Sequence, residues 1–327
     1  MSKISVLGPG GWGIALALCA HSRGHEVCMW SPFKEEVEKL NTTRSNERLL
    51  PGIVIPEDIT ITDDISLVSG SQITIIATPS TAVRSAAQKL ATISDFGIVV
   101  NVSKGLEKGT LLRLSQVISE ELPNSPVAVL SGPSHAEEVS RKIPTSLVST
   151  SKSLSVASIV QDMLSSEHLR IYTSNDLVGV ELAGALKNVI AICAGFCDGI
   201  GLGDNSKAAL ITRGLAEMAR LGVCMGAQEY TFAGLAGVGD LVVTCTSQHS
   251  RNNRFGNKVG SGVPVQQALE EVGTVEGYYS TLMARELALK YHIEMPIVEE
   301  CYSILYENKD VRLVVQDLML RPPKAER

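Results

Sequence analysis

At 327 residues, the chain is long enough for two domains that each bury a core. Its 44% hydrophobic and 20% charged residues describe an ordinary globular protein, and its 28 glycines point to many tight turns or close backbone approaches. A net charge of -6 excludes sequence-independent nucleic-acid binding, which needs a basic surface, and means that any anionic ligand must be drawn in by a local basic cluster.

Met1-Ser2-Lys3 leads at once into an apolar run without a basic n-region or cleavage site, so a cytoplasmic protein is expected. Short β-rich runs then alternate with helical periods. Strands are expected at Ile4–Leu7, Glu26–Trp30, Ile73–Ala77, Ile98–Val102, Val127–Leu130, Ser146–Ser149 and Arg170–Thr173. Helices are expected at Trp12–Ser22, Lys34–Leu40, Thr81–Ala91, Leu111–Glu121 and Ser153–Leu164. Almost wholly apolar strands alternating with helices predict a doubly wound, mostly parallel α/β sheet covered on both faces. After Thr173 the strand signal stops. Asn175-Asp176 caps a long helix to Gly195, and Asn205–Leu221, Val265–Glu271, Tyr278–Lys290 and Ile297–Glu307 continue the helical series. A glycine-rich stretch, Ala233–Gly239, and a basic loop at 250–257 interrupt it. The chain therefore divides near Thr173–Asp176 into an α/β domain, 1–175, and an all-α domain, 176–327. The longest apolar run is broken by Lys187, Asp198 and glycines, so no membrane span is expected. Seven scattered cysteines read as reduced core thiols. Cys193 and Cys197 stand four apart on a helix but lack a companion His or Cys pair, so no metal is expected.

Gly8-Pro9-Gly10-Gly11-Trp12-Gly13 follows the first strand directly and opens a helix of small residues. Gly8 suits the tight turn, Gly10 the approach of a pyrophosphate, and Gly13 the packing of helix on sheet, with backbone N–H groups facing the phosphates. This is the fingerprint of a Rossmann-like dinucleotide-binding domain. The second strand ends at Met29-Trp30-Ser31-Pro32-Phe33-Lys34 without the tip acid that would hold the ribose hydroxyls of NAD. Ser31 reads as a helix N-cap followed by Pro at the first position. The missing acid favours NADP or tolerance of both cofactors: Ser31 and Lys34 could accept a 2′-phosphate, and Phe33 and Lys34 are the candidate cofactor residues at this turn. Thr78-Pro79-Ser80, Ser103-Lys104-Gly105 and Gly132-Pro133-Ser134 fall at carboxyl ends of strands, where open α/β sheets bind ligands. Lys104 is as readily a solvated surface charge as a ligand contact.

In the second domain Lys187 is the single lysine of an apolar helix. Ala183, Lys187, Ala191 and Ala194/Gly195 share one face, a strip of small residues that another group could approach closely. Burial lowers a lysine's pKa and lets it exchange protons near neutrality, which suits reduction of a ketone: nicotinamide delivers hydride while a general acid protonates the oxygen. The plainer alternative is a lysine snorkelling to water. Ser250-Arg251-Asn252-Asn253-Arg254 offers guanidinium forks and amide donors suited to a phosphate, though such clusters are often only solvated loops.

With these residues in view, the chain resembles the bacterial-type NAD(P)-dependent glycerol-3-phosphate dehydrogenases over essentially its whole length. The resemblance rests on Gly8–Gly13, Ser103–Glu107, Ser131–Ala136, Leu186–Ala191, Leu210–Glu217, Ala236–Leu241, Ser250–Gly256 and Val275–Tyr278. It implies reversible reduction of dihydroxyacetone phosphate to sn-glycerol 3-phosphate for phospholipid synthesis. It implies Lys187 as the proton donor and acceptor, and Lys104, Gly132, Ser134, Asp240, Ser250, Arg251 and Asn252 at the substrate. Gly11, Trp12, Ala136, Val275 and Glu276, together with Lys104 and Arg251, are implied at the cofactor. Many members carry a basic residue just after the second-strand Trp, where this chain has Pro32-Phe33. A homodimer is one expectation for the assembly. Two other functions compete: a β-hydroxy-acid or sugar-acid dehydrogenase of similar layout, and a non-catalytic NADP-binding sensor. The first would need a carboxylate site in place of the Arg251 cluster, and the second would need neither Lys187 nor Arg251.

Overall fold

The structure is a computed structural model that describes residues 2–323, 325 and 326. The chain divides into two compact units, Met1–Glu181 and Leu182–Arg327.

Unit 1 is built on eight strands: β1 (Lys3–Leu7), β2 (Glu26–Trp30), β3 (Thr60–Thr62), β4 (Ile73–Ile76), β5 (Ile98–Asn101), β6 (Val127–Ser131), β7 (Thr145–Ser151) and β8 (Leu169–Ser174). They form one sheet in the order β3-β2-β1-β4-β5-β6-β7-β8. Every neighbouring pair is parallel except β6 and β7. Six helices accompany the sheet: α1 (Gly11–Ser22), α2 (Lys34–Thr43), α3 (Val83–Leu90), α4 (Leu114–Glu121), α5 (Ala136–Val139) and α6 (Leu154–Leu164). The β6–β7 connection contains only the short α5 in place of a full crossover helix, and there the direction reverses.

Both sheet faces are apolar because successive strand residues point to opposite sides. Ile4 and Val6 of β1, with Ile73 and Ile75 of β4, join one core with α1 residues Ile14, Leu16 and Ala17. Leu7 and Ile76 turn the other way and pack with Val83, Ala87 and Leu90 of α3 and Leu114 and Ile118 of α4. Chain order reverses at β1, which lies between β2 and β4, so the crevice at the carboxyl ends of β1 and β4 is the natural ligand position.

Some boundaries differ from the sequence expectation. The three-residue edge strand β3 is too short to leave a periodic signal. The helix expected from Leu111 starts at Leu114, because Leu111 takes a left-handed φ of 60° and Leu106 bridges to Arg113. A 3-10 turn, Ser80–Ala82, precedes α3.

Unit 2 is helical. The long helix α7 (Leu177–Gly199) crosses the division, with Asp176 Oδ1 accepting from Gly179 N at 2.9 Å in its first turn. After it come α8 (Asp204–Cys224), α9 (Asp240–Thr246), α10 (Arg251–Gly260), α11 (Val265–Val272), α12 (Glu276–Tyr291), α13 (Pro296–Glu307) and α14 (Val311–Met319). By length and composition α7 could cross a membrane, with mean hydropathy 1.7, but 94% of its apolar window is buried in protein. The basic segment expected as a loop is in fact the start of a helix: Ser250 Oγ accepts from Asn253 N at 3.2 Å, and α10 follows. Helix α10 lies backbone to backbone on α7. A Cβ on Gly195 would sit 2.1 Å from Asn253 O, and one on Gly256 would sit 2.1 Å from Ile192 O. All seven cysteines are free thiols. Cys193 and Cys197 are buried on α7, where the neighbouring Cys301 thiol and burial push the Cys193 thiol well above its ordinary range.

Candidate active site

In unit 1 the fingerprint glycines divide by physical role. Gly8 has a φ of 103°, which only glycine adopts without strain, and its N donates to Trp30 O at 2.9 Å. A Cβ on Gly13 would fall 2.0 Å from Gly8 O, so any side chain would break the contact between helix and turn. A Cβ on Gly10 would meet nothing within 4 Å. The fold itself therefore does not demand glycine at position 10, and the space in front of it is open. Gly10 is the flanking residue of α1 and supplies no side-chain cap, so the first N–H groups of the helix have no side-chain partner there. A Cβ on Gly11 would make ordinary contact, 3.7 Å from Ala136 Cβ, which brings the starts of α1 and α5 together. Trp12 and Ala136 both pack against the core on that sheet face.

At the end of β2 the structure departs from the sequence reading. Helix α2 begins at Lys34, so Pro32 precedes it and does not take its first position. Ser31 is buried. Its Oγ accepts from Phe33 N at 3.3 Å and donates to Glu36 Oε2 at 2.6 Å. Phe33 is 68% exposed, and Lys34 Nζ leans along the helix to Glu38 Oε1 at 3.8 Å.

At the strand tips, Gly132 O gathers Lys104 and Ser134: Lys104 Nζ and Ser134 Oγ each donate to it at 3.0 Å. Gly132 has a φ of 137°, and Leu147 and Ser146 lie 3.2–3.3 Å from where its Cβ would be. The Lys104 turn is held from behind, because Arg84 binds both oxygens of Glu107, at 2.6 and 2.8 Å.

In unit 2 Lys187 does not stand alone. It is 5% exposed, and its Nζ donates to Asp240 Oδ1 at 2.5 Å and Thr244 Oγ1 at 2.6 Å. Asp240 is 1% exposed. Burial disfavours the lysine's charge while the carboxylate favours it, an opposition that a reading from burial alone misses. The strip of small residues on α7 also has a second use, since its Gly195 end takes the backbone of α10. Thr244 was not among the residues expected from sequence. As Asp240 + 4 it shares a helix face with Asp240, a spacing visible once 240–246 is read as helix.

The start of α10 joins this group through amides. Asn252 Nδ2 donates to Asn188 Oδ1 at 2.9 Å, one residue from Lys187, and Asn252 Oδ1 accepts from Gly277 N at 2.9 Å. Val275 and Glu276, at the head of α12, stand beside that contact in the chain. Ser250 is buried as the cap of α10, while Arg251 at its first position is exposed and its side chain makes no hydrogen bond or ion pair among the described residues. The structure thus gathers Lys104, Gly132 and Ser134 in unit 1, and in unit 2 it joins Lys187 to Asp240 and Asn252 to Asn188, the residue after Lys187.

Comparison with known proteins gives this constellation a family. Residues 3–157 match the family model described as NAD-dependent glycerol-3-phosphate dehydrogenase N-terminus, and residues 176–316 match the corresponding C-terminus model. A protein of Desulfitobacterium hafniense named glycerol-3-phosphate dehydrogenase [NAD(P)+] is 50% identical over 100% of this chain and 93% of its own length. One of the same name from Fusobacterium nucleatum is 49% identical, over 100% of this chain and 99% of its own. A crystal structure of glycerol-3-phosphate dehydrogenase from Coxiella burnetii superimposes with a TM-score of 0.94 at 38% identity, covering 98% of this chain and 99% of that one. With both halves matched and relatives aligned end to end, the chain belongs to the NAD-dependent glycerol-3-phosphate dehydrogenase family.

Proposed function

We propose that this chain is an NAD(P)-dependent oxidoreductase acting on a CH–OH group, which reversibly reduces dihydroxyacetone phosphate to sn-glycerol 3-phosphate and so supplies phospholipid synthesis. The observation that carries the reading is the buried Lys187 bonded to Asp240 and Thr244. A buried ammonium oriented by a carboxylate and a hydroxyl is what a general acid requires.

In this reading residues 1–175 hold the dinucleotide and 176–327 carry the substrate chemistry. Gly8, Gly10, Gly11, Trp12 and Gly13 cradle the cofactor with Ala136, Val275 and Glu276, and the open space before Gly10 is what supports that role. When bound, the nicotinamide supplies the hydride. Lys187 Nζ gives its proton to the ketone oxygen, which becomes the hydroxyl of the product; in oxidation the same nitrogen takes that proton back. Asp240 Oδ1 and Thr244 Oγ1 accept from Nζ and so orient the ammonium. Arg251, with no partner of its own, and the first N–H groups of α10 bind the phosphate. Lys104, Gly132, Ser134, Ser250 and Asn252 complete the substrate contacts.

The test is loss of near-ultraviolet absorbance when purified protein, NADH or NADPH and dihydroxyacetone phosphate are mixed. Turnover is expected. Turnover only with a 2-keto or 3-keto acid would replace this reading with a hydroxy-acid dehydrogenase, and binding without turnover on any of them would replace it with a sensor.

A further inference from the structure

We propose that Glu36 sets the cofactor preference, so that the chain binds NADH more tightly than NADPH. This rests on the reading of Gly8–Gly13 as the dinucleotide cradle and runs opposite to the expectation drawn from the missing acid at the β2 tip. The strand end does have an acid, delivered by the next helix. Gly8 N is bonded to Trp30 O, so the glycine turn and the end of β2 are fastened together. Ser31, the next residue, is buried and donates to Glu36 Oε2 at 2.6 Å. That bond draws the carboxylate back from the first turn of α2 to the tip of β2, where dinucleotide folds discriminate at the adenosine 2′ position. Glu36 Oε1 makes no hydrogen bond among the described residues, so it can accept from a ribose hydroxyl.

A 2′-phosphate at this position meets a different field. Between residues 34 and 38 one cation, Lys34, stands against Glu35, Glu36 and Glu38. That cation leans toward Glu38, and its side chain is 76% exposed. Bringing a phosphate dianion beside the Ser31-anchored carboxylate opposes like charges, whereas a ribose hydroxyl can donate to it. The buried serine also limits how far Glu36 can swing away without losing its bond.

Calorimetric titration with NADH and with NADPH tests this without relying on turnover. The unaltered protein is expected to bind NADH at least about tenfold tighter than NADPH, a difference of about 1.4 kcal/mol. Glu36→Gln is expected to raise NADPH affinity about tenfold while changing NADH affinity by less than about threefold, since the amide keeps an acceptor and loses the charge. A circular dichroism spectrum and melting temperature near those of the unaltered protein exclude misfolding as the cause. Equal or tighter NADPH binding by the unaltered protein overturns the proposal and leaves the dinucleotide reading intact. So does an unchanged affinity ratio in Glu36→Gln, or a selective loss of NADPH binding in Lys34→Ala. Binding of neither nucleotide overturns both.

Discussion

Lys187 Nζ and Asp240 Oδ1 lie 2.5 Å apart, both side chains nearly inaccessible to water, with the Thr244 hydroxyl completing a three-way contact between α7 and α9. A buried pair of this kind is costly to assemble and more costly to break, because removing one partner strands the other's charge. The pair therefore couples the proposed proton chemistry to the stability of unit 2, and the two roles separate under mutation.

Replacing the lysine removes the proton donor. Lys187→Ala is expected to lower kcat by about 10²- to 10⁴-fold, the usual contribution of a general acid, while cofactor affinity measured by titration stays near its original value. A variant that keeps more than about a tenth of the original rate would falsify the acid–base role.

Replacing the carboxylate tests the pair from the other side. Asp240→Asn leaves a buried ammonium without a counter-charge and is expected to cost about 3–5 kcal/mol in urea denaturation. A loss below about 1 kcal/mol would mean that water reaches Lys187 and relieves its charge.

Arg251 has a different signature, because it is exposed and supports nothing else in the fold. Arg251→Ala is expected to raise KM for dihydroxyacetone phosphate about 10- to 100-fold, the worth of a charge-assisted contact, with an unchanged melting temperature. An unaltered KM removes it from the phosphate site.

Glu217 of α8 makes a pH prediction. It is 3% exposed and accepts from Ile297 N at 2.9 Å and Val298 N at 3.3 Å, at the start of α13. Burial nevertheless pushes its carboxyl up from 4.5 to about 7. Because the folded value is raised, the folded chain holds the proton more tightly than the unfolded one. The associated stability is fully present below about 4.5 and is lost as pH rises through about 7. At about 1.4 kcal/mol per pH unit the whole effect is on the order of 3 kcal/mol. Glu217→Gln should flatten the fall in melting temperature between those two values, and an unchanged slope would assign the fall to other groups.

The α7–α10 crossing predicts a steric effect. Gly195→Ala would place a methyl 2.1 Å from Asn253 O and is expected to cost about 1–3 kcal/mol or more. It should also reduce turnover, since the two helices carry Lys187 and Arg251. Thermal melts and initial rates measured together check this, and a variant normal in both means the helices can part without consequence.

What could be read from sequence was local. The Gly8–Gly13 turn, the apolar strands and the lone lysine of α7 are defined by near neighbours and by periods of 2 and 3.6, so they show before any folding is known. The basic segment was visible as chemistry, but its shape was not: a helix begins at Arg251 because Ser250 caps it and because glycines let it lie against α7. Edge strand β3 was too short to carry a pattern.

By itself, then, the sequence determined that a dinucleotide turn, a lone lysine in an apolar helix and a basic, arginine-bearing segment occur in one chain of alternating and then purely helical elements. Only the tertiary structure decided what each charge faces. Lys187 and Asp240 are 53 positions apart in the chain, and no local period relates them. Even the five-residue link from Ser31 to Glu36 depends on how β2 hands the chain to α2. Electrostatic partners are set by distance in space, which sequence spacing encodes only within a single helix or strand.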